Sequence, residues 1–470
     1  YKEILSKIKR LLGWWKQQDL TLFGKIQLVK VFAISKLLYV SSIISVPPSV
    51  FKEVEKICFD FIWNRHDKIK RNILYFNYDK GGLKMLNFKY MIYAQRVVWI
   101  KKLLGGNNDM KWKQFFEYIF RTVGGKLIFL CNYNPKTINI KAPNIYLDFL
   151  NIWNYLKEKE YIVKETHNEN QIIFNNTFIE GRIIPFNAKL FHVNIFQVKH
   201  LTDAEGDMRS GDYFIRKGLN VDDLFLLNDL YTKLPAAWKI KRICRGRDDT
   251  LNDTVDLSNI NFIINKTVYS FESVSSKMLY NIFIAIIQDA FAFKHPEVIA
   301  LNLDKSETTT GFSIPRFSTL DGKLREFQYK LLHNIIFCND KLYLFGLTQS
   351  NLCSFFRKEV KTYRHIFFEC SEGSMIWNEM GNSLKMFQFL NMQWIDVLLV
   401  FRKNMKDNIL LNHVLILVKY MIYSNRQKGK FPTSKEICKA VENSKKVEHE
   451  KAKLKDKLPI HYQKWENFTP

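Results

Sequence analysis

Residues 323–377 read KLREFQYKLLHNIIFCNDKLYLFGLTQSNLCSFFRKEVKTYRHIFFECSEGSMIW, and here alone do cysteine, histidine, basic and aromatic side chains fall at spacings that chemistry can use. The first half is amphipathic. Leu324, Phe327, Leu331 and Ile335 recur at helical intervals, while Lys323, Arg325, Glu326 and Lys330 fall mostly off that stripe. The second half holds Cys353, His365 and Cys370 at the separations of a zinc knuckle C-x2-C-x8-H-x4-C, with Phe356 standing where the second cysteine would be. A structural zinc site needs four tetrahedral donors, and here three remain. The expectation is therefore a degenerate knuckle with zinc in doubt and no cofactor otherwise, its shape kept by packing of Phe355, Phe356, Ile366, Phe367 and Trp377. Cys338 is the one nearby thiol able to swing in as a fourth donor.

This run resembles the C-terminal zinc-knuckle region of LINE-type (non-LTR) retrotransposon reverse transcriptases, in which a helix ending in a Lys-Leu-Leu-His-like run precedes a Cys, Cys, His, Cys cluster and a Trp. The resemblance extends beyond it. WWKQQDLTLFGKIQLVK, FIWNRHDKIKR, YDKGGLKMLNF and YAQRVVWIKKLL are similar to the segment that follows the polymerase palm, and HVLILVKYMIYSNRQKGKFP is similar to the extreme C-terminus. The middle third matches diffusely. The resemblance implies a helical thumb that grips a primer–template duplex, followed by a C-terminal region. It also implies that the chain, whose first residue is Tyr1, is a fragment of a polyprotein whose upstream polymerase domains are its partners.

Composition points the same way. A chain of 470 residues with 47% hydrophobic and 15% aromatic content can bury two or more cores and is not a disordered composition. The net charge of +25 divides into +16 over residues 1–150, 0 over 151–400 and +9 over 401–470. Two basic flanks around a neutral body suit a polyphosphate backbone, RNA or an RNA/DNA hybrid, with acidic lipid the lesser alternative. Seven scattered cysteines without a disulfide spacing favour a reducing compartment, nucleus or cytoplasm. The apolar runs 31–46 and 413–423 carry Lys36 and Lys419, and neither is an uninterrupted span of ~20 apolar residues, so no membrane partner is expected.

The pattern predicts a mainly α fold: a thumb-like basic helical unit over 1–122, a mixed α/β connecting region over 123–303, a polar linker over 304–320 and a helix-rich C-terminal region over 321–470 with a basic tail. Thr21 is a candidate N-cap, and Ser49 caps the helix after Pro47 and Pro48. Lys25 and Lys36, eleven residues apart, share a stripe at three turns, either along a phosphate backbone or simply as a solvated face. Arg65, Lys68, Lys70 and Arg71 interleave with Trp63, Tyr75, Phe76 and Tyr78, the mix that binds single strands without sequence preference when the rings are exposed. Lys101, Lys102, Lys419 and Arg426 complete the candidate nucleic-acid contacts. Gly81 and Gly82 form a turn. Residues 126–131, 171–174 and 258–271 are β-prone, 276–292 is helical, and Pro459 stops the tail helix.

No catalytic residue is expected. A polymerase of the resembled family needs paired carboxylates for two Mg²⁺ ions. Of the two Asp-Asp pairs, Asp222 and Asp223 read as a helix N-terminus after Asn220, and Asp248 and Asp249 as a turn. Both also follow the segments that resemble the post-palm region. The alternative function is a protein-interaction or structural module.

Overall fold

A computed structural model describes residues 1–105, 110–131, 140–164, 171–174, 186–239, 260–264, 266–289, 305–353, 358–383, 392–401, 407–426, 429–466 and 468. Among the described residues the fold is mainly helical, as expected, with one small antiparallel sheet. The chain forms two compact units, the first from Tyr1–Lys36, Lys52–Asn87 and Ile287–Pro470, the second from Leu37–Phe51 and Phe88–Ile286. These units do not coincide with the boundaries at 122, 303 and 320. Helical periodicity marks where a helix lies and says nothing of which core its stripe joins.

In the first unit Thr21 caps the helix Leu22–Leu28, its Oγ1 accepting the Gly24 N–H at 3.3 Å. The helix continues through a π-helical stretch, Val29–Ile34, into Ser35–Ile43. Because a π turn holds more residues than an α turn, an interval of eleven residues no longer equals three whole turns, and the shared stripe for Lys25 and Lys36 loses its geometric basis. By length and composition the stretch Leu22–Ile43 could cross a membrane, although Leu22, Ile26, Val29, Ala33 and Ile34 are buried. The next helix, Pro48–Trp63, begins at Pro48 and not behind a Ser49 cap. Proline suits a first helical position because its missing N–H would be unsatisfied there.

The turn after Lys80 behaves as expected. Gly81 is left-handed at φ 74°, and a Cβ on Gly82 would fall 2.1 Å from the Phe76 carbonyl oxygen.

Residues 305–320 are not a linker. Lys305–Ser318 is a helix that buries Ile314 and Phe312, and at Gly311 a Cβ would already sit 3.0 Å from Leu399. Three consecutive threonines read as polar spacer, yet a few apolar residues on one face decide the structure. The helix Gly322–Leu332 buries Leu324, Phe327 and Leu331 as its stripe requires. It packs with Ile409–Asn425, whose Val414, Leu415 and Val418 lie in the same core. The tail helix Ser434–Lys453 starts at a Thr433/Glu436 capping box. Pro459 does not end a helix but lies in the first turn of the last one, Leu458–Trp465.

The second unit is built around Trp153, fully buried on Asn144–Glu158, its indole donating to the Phe129 carbonyl at 2.9 Å. Residues 126–131 are not a strand: Gly125–Leu130 is a 3-10 helix. The strands are β1 (Ile162–Lys164), β2 (Ile260–Ile264) and β3 (Thr267–Ser270), paired in that order, with Ile162 opposite Phe262 and Ile263 opposite Val268. Ser276–Asp289 is the expected helix, within the predicted 276–292. Asn220 and Asp223 close a reciprocal capping box on Val221–Lys233, and Asp223 also meets Lys189 at 2.5 Å, as the helix-start reading of this acid pair requires. Asp248 and Asp249 lie outside the described residues, as do Cys244, Phe355 and Phe356.

Candidate metal cluster and nucleic-acid interface

Cys353 and His365 are drawn together by a short antiparallel bridge, Leu352 opposite Val360. The Cys353 N–H donates to the Glu359 carbonyl at 2.7 Å, and the Lys361 N–H to the Asn351 carbonyl at 2.8 Å. His365 opens a π-helical turn, His365–Glu369, anchored by its own N–H on Thr362 Oγ1 at 3.0 Å. That turn ends at Cys370, immediately before the helix Ser371–Ser383. Trp377 on this helix is 8% exposed and donates its indole N–H to the Phe367 carbonyl at 2.8 Å, which locks helix to turn. Gly373 is needed for the fit, since a Cβ would lie 3.0 Å from the Ile366 carbonyl oxygen.

The result is that one donor atom each from Cys353, His365 and Cys370, all buried, lies within 4.8 Å of the other two. The group could hold a metal ion. His365 Nδ1 sits 2.8 Å from Glu359 Oε2, while the buried Nε2 has no hydrogen-bond partner. A carboxylate on one ring nitrogen fixes the tautomer that leaves the other nitrogen's lone pair for a metal. Burial pushes the Cys370 thiol up, and the nearby Cys353 adds to this, while the N–H groups of Glu372 and Gly373 favour the thiolate. Lys361, 1% exposed, brings a cation near both sulfurs. Two thiolates and an imidazole are soft and borderline donors, the set that suits zinc among common divalent ions. Cys338 is not in this group. It is buried at the start of Asn339–Leu344, with its thiol pushed up to about 12 by burial and by Asp340.

The candidate cations fare unequally. Lys419 is wholly buried, its ammonium donating to Gln328 Oε1 at 2.8 Å and to the Val397 carbonyl at 2.5 Å. It is therefore a core residue and not a phosphate contact. The apolar stripe around it was legible, but a lysine on the edge of such a stripe reads as solvated until its partners are seen. Arg71 is engaged by Asp67 at 2.7 Å and Glu55 at 3.6 Å. Arg426 lies over the Tyr423 ring at 3.7 Å and bonds that residue's carbonyl. Lys101 bonds the carbonyls of Glu272 and Val274. Lys36, Arg65, Lys68, Lys70 and Lys102 are exposed. The rings expected to stack are mostly unavailable: Trp63, Tyr75 and Phe76 are buried, and only Tyr78 of that set is partly open.

What the fold adds is a grouping of cations from distant parts of the sequence. Lys25 donates to the Ile62 carbonyl at 3.3 Å and lies 5.9 Å from the Phe61 ring centroid. Partial burial lowers its pKa, Lys330 and Lys16 lower it further, and Glu326 opposes them. Lys68, exposed as a residue, keeps its ammonium 5.1 Å from the Phe337 ring centroid; partial burial lowers its pKa, and Lys330 and Lys25 lower it further against Glu326. Glu326 itself pairs with Lys330 and accepts the Leu22 N–H at 2.9 Å. Lys30, lowered by burial, also feels Lys84. Partly buried lysines whose charge is further disfavoured by neighbouring lysines form a field that a polyanion would relieve. Lys30, Lys84 and Lys330 were not among the candidate contacts read from the sequence, because their neighbours in space are far away along the chain.

No protein-family model matches this chain.

Proposed function

We propose that the chain is a nucleic-acid-binding region of a LINE-type reverse transcriptase, which holds RNA or an RNA/DNA hybrid and carries no polymerase chemistry of its own. The observation that carries this reading is the grouping of Lys25, Lys68 and Lys330 around one carboxylate, Glu326: Lys330 pairs with Glu326, and the pKa values of Lys25 and Lys68 are lowered by burial and then by the neighbouring Lys330. Phosphates placed there neutralise charges that the fold brings together at a cost. The exposed Arg65 and Lys70 extend that surface. The resemblance of residues 323–377 to a reverse-transcriptase knuckle supplies the family and makes the upstream polymerase domains of the same polyprotein the natural partners, in a reducing intracellular compartment. In this reading the metal for Cys353, His365 and Cys370 is zinc, with a role in shape: it would tie the Leu352–Val360 bridge to the helix Ser371–Ser383.

The test is competition binding of a single-stranded RNA, a duplex RNA and an RNA/DNA hybrid, together with a primer-extension assay on the purified chain. Binding with little sequence preference and no extension supports the proposal. Extension of a primed strand by the chain alone, or no binding at low salt, refutes it.

A second reading, docking on protein, draws on one observation. Leu344, Phe345 and Leu347 are 80%, 61% and 70% exposed. Clustered apolar side chains of this kind mark protein contacts more often than nucleic-acid contacts. It predicts saturable protein binding that RNA does not compete away.

A further inference from the structure

A cavity of about 300 Å³ opens in the first unit beside the helices Leu22–Leu28, Lys305–Ser318 and Gly322–Leu332. Its walls are rings: Phe23, Tyr78, Phe312 and Tyr329. Phe23 lies 6.1 Å from Tyr78 and 6.4 Å from Tyr329 between ring centroids. Tyr329 is pinned from below, its hydroxyl donating to the Gly81 carbonyl at 3.2 Å, so the wall is preformed. Gly82 also lines the cavity, and a Cβ there would fall 2.1 Å from the Phe76 carbonyl oxygen, so this part of the wall is bare backbone.

Two guanidinium groups line the same cavity. Arg316 is exposed and lies 4.4 Å from the Tyr78 ring centroid. Arg325 is held by the Thr319 carbonyl at 2.6 Å and the Arg316 carbonyl at 2.9 Å, which together use two of its five N–H donors. Burial and the neighbouring Arg316 both act against the charge on Arg325, and Glu448, Tyr78 and Asp321 act for it. Glu448 is itself engaged by Lys464 and by the Leu320 N–H, and Asp321 caps its own helix on the Lys323 N–H. Among the described residues no carboxylate forms an ion pair with either arginine. The cavity thus pairs flat aromatic walls with an unneutralised bidentate anion donor, the two requirements for one nucleotide and for neither a duplex nor a lipid tail. Its size is that of a small-ligand cleft.

We propose that this cavity takes a single unpaired nucleotide, with its base among Phe23, Tyr78 and Tyr329 and its phosphate on Arg316 and Arg325. The inference rests on the nucleic-acid reading above and adds to it a site for an unpaired position, such as a strand end or a splayed base beside a gripped duplex.

The experiment measures binding of adenosine 5′-monophosphate, adenosine and ribose 5-phosphate to the full chain by calorimetry or equilibrium dialysis. Three proteins are compared: the unaltered chain, Arg316→Ala, and Gln27→Trp, which plugs the cavity from an exposed wall position. The monophosphate is expected to bind about tenfold more tightly than either part of it, since stacking and an anion contact each contribute on that scale. Arg316→Ala is expected to reduce the monophosphate to the level of adenosine, and Gln27→Trp to abolish all three while circular dichroism stays unchanged. Ribose 5-phosphate binding as well as the monophosphate, or Gln27→Trp leaving binding intact, overturns the site. A single-stranded RNA oligonucleotide run alongside separates the two claims. If it binds while the monophosphate does not, the cavity alone is refuted; if neither binds, the parent reading falls with it; and if the monophosphate alone binds, the cavity stands without the parent reading.

Discussion

His365 Nδ1 lies 2.8 Å from Glu359 Oε2, the opposite ring nitrogen is buried without a hydrogen-bond partner, and one nitrogen of this ring lies within 4.8 Å of the Cys353 and Cys370 sulfurs. A histidine oriented by a carboxylate and left unsatisfied on its other side has a cost, because a buried polar atom without a partner forfeits its hydration. A metal ion removes that cost. The unaltered chain is expected to retain one zinc ion per molecule after dialysis, measured by a chromogenic chelator. Cys370→Ser and His365→Ala should lose it, and Glu359→Gln should bind about 10- to 100-fold more weakly. A chain that retains no zinc, or retains it equally in all variants, contradicts the assignment.

Lys419 supplies a contrast between a core lysine and a surface one. Burial lowers its pKa to about 7 from an ordinary value of 10.5. Between those two values the unfolded chain binds the proton more readily than the folded chain, so this residue makes stability rise as pH rises from about 7 towards 10.5. Lys419→Met should remove that rise from urea midpoints measured across the range, and should leave RNA affinity within about twofold. A large loss of RNA affinity at unchanged stability would return Lys419 to the interface.

On the acid side the sensitive group is His413, lowered from 6.5 to about 4 by burial and then by Lys464, against Glu448 and the Ser318 carbonyl. Below pH 6.5 the unfolded chain takes up a proton that the fold resists until about 4, so stability falls over that window by at most about 3 kcal/mol. His413→Gln should flatten this part of the pH profile of thermal unfolding. An unchanged acid limb would show that other groups govern it.

The mainly helical fold, the Thr21 cap, the Gly81 turn and the stripe Leu324, Phe327 and Leu331 were legible, because capping, left-handed glycine and periodicity are local properties of the chain. So were the metal-ligand candidates, by spacing. The helix Lys305–Ser318 was hidden by its threonines, and the 3-10 helix Gly125–Leu130 by its β-prone composition. Domain limits were not legible because the second unit takes residues from both Leu37–Phe51 and Phe88–Ile286. The basic site was half legible: Arg65, Lys68 and Lys70 are exposed, whereas Lys330 and Glu326 become neighbours of Lys25 only in the fold. Glu359, which orients His365, belongs to no spacing motif and is visible only through the ring nitrogen it meets.

If Lys25 and Lys68 hold phosphates, Lys25→Ala and Lys68→Ala should each weaken RNA binding almost uniformly across sequences. Each should also reduce the slope of log affinity against log salt by about 0.7 to 0.9. Losses confined to one sequence, or a slope that does not change, would assign these lysines to folding alone.

The most direct test of nucleic-acid capture is a salt titration of the unaltered chain with a labelled RNA/DNA hybrid. The grouping of Lys25, Lys68 and Lys330 predicts a straight, steeply falling plot of log affinity against log salt, with a slope of at least about −2 from three phosphates. A flat plot, or no binding at about 50 mM salt where counterion release favours capture, would contradict it.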